Sequence, residues 1–261
     1  MPKPKSNNNK SKGPTAQTTS ATPPATTPSW PPFKPPLPVT HLTPELHPST
    51  PRIALLPHFF PRSLCRDYVA FLRTLSMQTT PSRPKRGEAV RVNDRFQVED
   101  ALFARRLWEQ TGLKEALLED NEHLRDLWGG EPIGLNPNIR VYRYSKGQYF
   151  DCHCQRTTLL TCGTRPDDDS NFLTLPSEPP IPVRTTWTLL LYLTSAAEGC
   201  VGGETVFYPH DRKSAAEEIA VPLQTGMLLL HKHGDDCLLH EGREVHEGEK
   251  WVLRTDLCVR K

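Results

Sequence analysis

After Pro137 the apolar residues change period, and this change bounds the fold more tightly than any other feature of the chain. Ile139, Val141 and Arg143 alternate with Arg140, Tyr142 and Tyr144. That is the two-residue repeat of a strand whose two faces see different surroundings. Further strand-like runs follow at Thr186–Leu193, Glu204–Tyr208, Met227–His231, Leu238–His240 and Lys250–Val259. Gly199, Gly202-Gly203, Gly226, Gly234 and Gly242 stand between them as turn signals. Short strands so closely punctuated predict a double-sheet jelly roll.

Upstream the repeat is helical. Ile53–Leu56 reads as a short edge strand, and Ser63 as the N-cap of a helix with Leu64, Tyr68, Phe71, Leu72 and Leu75 on one face. A second helix is predicted from about Val98, with Leu102, Phe103, Leu107 and Trp108 in its stripe and Gly112 at its end. A third is predicted over Lys114–Trp128. Helices first and strands after make an α+β chain: one domain over 51–261, with helical support over 52–130 and a jelly-roll core over 138–261. Residues 1–50 hold few large apolar side chains before Trp30 and many Pro, Thr, Ser, Asn and Lys. They predict a disordered tail, whose Lys3, Lys5, Lys10 and Lys12 read as solvated charge before they read as a nuclear-import patch.

The net charge of +2 argues against a nucleic-acid or acidic-membrane partner. Seven cysteines, an odd number with no C-x-x-C, read as reduced thiols and place the chain in cytosol or nucleus. No run is long and apolar enough to span a bilayer, and the N-terminus has no secretory signal core.

The chemistry concentrates on His153 and His240, each in a strand-like segment, with Lys250 ten residues after the second. Two imidazoles and one carboxylate on one face of Fe(II) leave three positions open. Arg143 to His153, Trp187 to Leu193, Gly202 to Phe207 and His240 to Lys250 carry, in order, four motifs. Together they resemble the prolyl-4-hydroxylase-like 2-oxoglutarate/Fe(II)-dependent dioxygenases of the intracellular, non-collagen type. The resemblance implies a double-stranded β-helix and an Fe(II) site of His153, His240 and an aspartate. It implies 2-oxoglutarate held by Lys250, with Tyr192 and Tyr144 beside it and Arg254 in reserve. It further implies O₂ as co-substrate, L-ascorbate as reductant, and hydroxylation of a protein or small polar substrate. Arg91–Phe96 has polar groups able to hold such a substrate, and reads equally as a charged loop or edge strand.

One position departs from the pattern. The aspartate belongs two residues after His153, where Gln155 stands. Downstream, Asp167-Asp168-Asp169-Ser170-Asn171 looks like the missing segment. Three readings follow. Residues 154–166 are an unspliced intron, whose removal joins His153 through a tyrosine codon to Asp168. Or the insert loops out and Asp167, Asp168 or Asp169 reaches the iron. Or the chain is an inactive or ligand-binding jelly roll. A zinc site of Cys152, His153, Cys154 and Cys162 is the alternative of another class, and adjacent strand residues on opposite faces count against it.

Overall fold

The alternation after Pro137 builds two facing antiparallel sheets. The computed structural model describes residues 27–33, 37, 42–80, 89–118, 126–154, 172–175 (backbone alone), 181–210 and 212–260. Its strands are β1 (Glu45–His47), β2 (Thr50–Leu56), β3 (Gln78–Thr79), β4 (Asp94–Glu99), β5 (Pro132–Leu135), β6 (Asn138–Ser145), β7 (Phe150–His153) and β8 (Phe172–Leu175). There follow β9 (Ile181–Tyr192), β10 (Val201–Gly202), β11 (Thr205–Tyr208), β12 (Ile219–Val221), β13 (Leu228–Lys232), β14 (Leu239–Gly242), β15 (Val245–Glu247) and β16 (Glu249–Arg260). Helices α1 (Arg62–Leu72), α2 (Ala101–Glu109) and α3 (Leu113–Leu118) lie among the first five strands.

The large sheet runs β1-β2-β13-β9-β16-β6-β4-β3, with β5 also on β16 and β8 also on β9. The small sheet runs β12-β11-β14-β7, and β10 pairs with β15. Alternation along β9 and β16 divides the core. Trp187, Leu189, Leu191, Trp251, Leu253 and Leu257 pack toward the helices. Tyr192 and Val252 pack toward the small sheet with Tyr142, Phe207 and Leu229. Each large apolar side chain removed from water contributes about 1.5–3 kcal/mol before entropy is set against it. The two-sided β16 therefore ties both cores together. Gly226 makes one close approach possible: its φ is +84°, and a Cβ there would lie 1.9 Å from the Phe60 carbonyl oxygen. Phe60 N donates to the Gly226 carbonyl at 2.9 Å across this contact.

The fold differs from the sequence expectation in several places. The segment read as disordered through residue 50 contains a packed part: Trp30, Phe33 and Leu37 are buried in the helix-side core. Trp30 stacks on Phe103 at 4.1 Å between centroids, and its Nε1 donates to Asp100 at 2.8 Å. Three apolar anchors suffice to hold a segment whose composition is otherwise polar. Residues 1–26 lie outside the described residues. The strand at Ile53–Leu56 is not an edge, because β1 covers it. The α1 N-cap is Pro61, without a side-chain cap bond, and Ser63 sits inside the helix. Val98 ends in β4, whose pairing with β6 overrides helical propensity. Asp100 then caps α2 by accepting from Phe103 N at 2.9 Å. Leu102 is largely exposed, so the buried stripe of α2 is Phe103, Ala104, Leu107 and Trp108. The third helix begins at Leu113, and 119–125 of its predicted span lie outside the described residues.

Candidate active site

The two histidines meet because the small sheet places their strands side by side. β14 pairs with β7, and His240 stands directly opposite His153 in that ladder. Their ring centroids are 4.2 Å apart. Each imidazole Nδ1 faces a backbone carbonyl: that of Asp151 at 2.9 Å for His153, and that of Leu238 at 2.7 Å for His240. A carbonyl only accepts, so both rings carry their proton on Nδ1 and leave the Nε2 lone pair free. Burial holds both neutral. It lowers His240 to about 4 and His153 well below its ordinary value, the neighbouring His240 adding to the effect. Two neutral, tautomer-fixed imidazoles supply two of the three protein donors of a two-histidine, one-carboxylate iron site. These residues fit Fe(II).

The third ligand proposed from sequence, Asp168, lies outside the described residues, as do Gln155, Asp167, Asp169 and Cys162. Among the described residues no group of three or more His, Cys, Asp or Glu is placed to hold a metal. The zinc reading loses further ground at Cys152, where burial and Glu241 push the thiol up to about 11. His231 also lines the cavity, its ring centroid 4.7 Å from that of His240. His233 does not reach it, because Thr188 and Thr185 hold its two nitrogens at 3.1 and 3.0 Å.

Opposite the histidines, β16 presents Lys250, Val252 and Arg254 to one cavity. The same-face spacing expected of a strand is thus realised. Lys250 is buried, and its Nζ donates to the Gly203 carbonyl at 2.6 Å. Gly203 belongs to the Gly202-Gly203 turn, where both residues have positive φ. Nζ has three donors and Gly203 takes one, so the ammonium retains capacity for a carboxylate. Burial lowers Lys250 from 10.5 to about 8, against the opposing pull of Cys200 and Glu204. Tyr144 stands opposite Lys250 in the β6–β16 ladder and lines the cavity. The Tyr192 hydroxyl instead shares a 2.6 Å hydrogen bond with Thr205, and Thr205, not Tyr192, lines the cavity. Arg254 is engaged by Asp256 at 3.4 Å. Burial works against its charge, but Asp256 and the Tyr142 hydroxyl outweigh that and hold it above its usual range.

Thr188 and Thr205 also line the cavity, and no local motif singles them out, because strand register alone brings them there.

Residues 139–255 match the family model of the 2OG-Fe(II) oxygenase superfamily. Similar solved structures include a Pseudomonas putida prolyl-4-hydroxylase, at 16% identity over 82% of this chain and 95% of that one, TM-score 0.50. The viral collagen prolyl hydroxylase of Paramecium Bursaria Chlorella virus-1 is 16% identical over 80% and 96% of the two chains, TM-score 0.45. A Trichoplax adhaerens prolyl hydroxylase, in complex with a hypoxia inducible factor peptide fragment, is 13% identical over 80% and 83%, TM-score 0.47. No curated protein matches the chain. Family match, motif order and jelly roll agree: over residues 139–255 the chain is similar to the 2OG-Fe(II) oxygenase superfamily, and it is prolyl-4-hydroxylase-like in fold.

Proposed function

We propose that the protein is a 2-oxoglutarate- and Fe(II)-dependent dioxygenase that hydroxylates a C–H bond of a polar substrate, with L-ascorbate as reductant. The observation that carries this reading is the His153–His240 pair, with both Nε2 lone pairs free beside a buried cavity lined by Lys250. His153, His240 and Asp168 would hold the metal. When bound, iron with 2-oxoglutarate and O₂ supplies the oxidising power, and 2-oxoglutarate is converted to succinate and CO₂. The chain's own residues do the rest. Lys250 gives the distal carboxylate of 2-oxoglutarate a cation to bind, and a point charge suits that task. Backbone carbonyls of Asp151 and Leu238 keep the imidazoles oriented. Val252, Leu190 and Phe150 exclude water from the cavity walls.

The test is Fe(II)-dependent conversion of 2-oxoglutarate to succinate. It compares the chain with a version lacking residues 154–166 and carrying a tyrosine before Asp167 or Asp168. Turnover by the shortened form alone upholds the reading and makes 154–166 an interruption of the metal site. Turnover by both means that an aspartate of 167–169 reaches iron across the insert. If neither form binds iron or 2-oxoglutarate, the reading fails and a ligand-binding jelly roll replaces it.

A further inference from the structure

The cavity wall away from Lys250 holds more positive charge than a 2-oxoglutarate site accounts for. Register assembles it. Arg95 on β4 stands opposite Tyr142 on β6, and Arg254 on β16 stands opposite Arg140. Opposed residues of an antiparallel pair share a face, so Arg95, Arg140 and Arg254 gather beside Tyr142. Arg91 joins them, its Cζ 5.7 Å from the Tyr142 ring centroid and 4.8 Å from that of Phe150. Tyr142, Phe150 and Arg254 line the cavity that holds the histidine pair.

Negative charge does not balance this cluster. Among the described residues, Asp256 is the carboxylate ion-paired with it, 3.4 Å from Arg254 and 3.8 Å from Arg140. Arg95 gives its Nη2 to the neutral Gln97. The Nε atoms of Arg95, Arg140 and Arg254 are buried and have no hydrogen-bond partner among the described residues. Buried donors on charged groups are costly to leave unmet, and crowded like charges add to that cost. The effect reaches Tyr142. Burial would raise its phenol, yet Arg254, Arg140, Arg91 and Arg95 outweigh burial and hold it below its ordinary value. Lys250 lies four residues from Arg254 along β16, roughly 13 Å of strand, so the two cations rise from separate points of the cavity wall that both line.

We infer that the substrate carries a carboxylate or phosphate group, which sits among Arg91, Arg95, Arg140 and Arg254 while the reacting C–H faces His153 and His240. Guanidinium forks match both oxyanions. The inference rests on the dioxygenase reading for what happens to that substrate, but the anion site itself can be measured without turnover.

The experiment titrates the full chain, with 2-oxoglutarate saturating, with inorganic phosphate in one arm and acetate in the other, and reads Kd by calorimetry and the melting temperature. At least one anion is expected to bind alongside 2-oxoglutarate and to raise the melting temperature. Its Kd should weaken at least tenfold in Arg95→Gln and Arg140→Gln, and stay within twofold in Arg212→Gln, an exposed arginine elsewhere. The 2-oxoglutarate Kd should stay within twofold in all three. Arg91→Gln serves the same purpose should Arg140→Gln fail to fold. The stronger arm identifies the oxyanion. Absence of binding by both anions, equal binding by the variants, or competition with 2-oxoglutarate overturns the inference. Arginine-dependent anion binding without any 2-oxoglutarate binding upholds the anion site and counts against the dioxygenase reading.

Discussion

At Lys250 the geometry sets a pH dependence. Burial lowers its ammonium to about 8, so the free protein loses this charge as pH rises through that value. A dianionic ligand needs the charged form. Affinity for 2-oxoglutarate is therefore expected to be flat below about pH 7 and to fall about tenfold per unit well above 8. Calorimetry at pH 7 and 9 reads this, and an affinity unchanged at pH 9 would show that another group anchors the carboxylate. Lys250→Met should weaken 2-oxoglutarate binding by roughly 30-fold or more, the cost of leaving a buried anion unpaired being about 2–5 kcal/mol. At the metal site, His240→Ala should abolish Fe(II) binding in an equilibrium metal-binding assay. Retention of wild-type affinity would remove this histidine from the ligand set. These residues were legible because each sits inside a short motif whose spacing the chain keeps. Arg140, Arg95 and Arg254 were not legible as a group, since three strands distant in sequence bring them together and no local spacing records it.

Among elements, legibility followed period and length. β9, β11, β13, β14 and β16 announce themselves by apolar runs and glycine turns, whereas β10, β12 and β15 are too short to carry such a signal. β1 and β4 are short or charged and exist because β2 and β6 offer them unpaired edges. Trp30 belongs at this scale too. The segment around it is polar enough to read as a tail, but its indole reaches Asp100 and Phe103 at the start of α2. Trp30→Ala should cost about 3–5 kcal/mol, lowering the melting temperature by roughly 10 °C. Urea and thermal denaturation of the variant check this, and a shift under 2 °C would mean that the segment only rests on the surface. A protein trimmed to residue 51 in the belief that the tail is dispensable should be destabilised at least as much.

For the whole molecule, the buried imidazoles link folding to acidity. His240 titrates near 4 in the folded chain, and His153 and His231 are also held well below their ordinary value, burial being the main cause in each. In the unfolded chain all three take up protons near 6.5. Folded values below unfolded ones mean that stability is whole above about pH 6.5 and falls as pH drops toward 4, by up to about 1.4 kcal/mol per unit for each histidine. Urea denaturation of the metal-free protein at pH 7 and 5.5 measures this, and equal stabilities would show that the rings are not buried in neutral form.

The central position of β16 has a consequence for how the protein is made. β6 and β9, the two strands it separates, both precede it by more than fifty residues in the chain. On a ribosome they emerge first, and each waits with a bare hydrogen-bonding edge until Glu249–Arg260 arrives to fill the gap. The nascent chain is thus most exposed to sticking to its neighbours just before synthesis reaches this strand. A premature stop upstream of Glu249 leaves that gap unfilled and should yield insoluble protein, whatever the state of the two histidines already made.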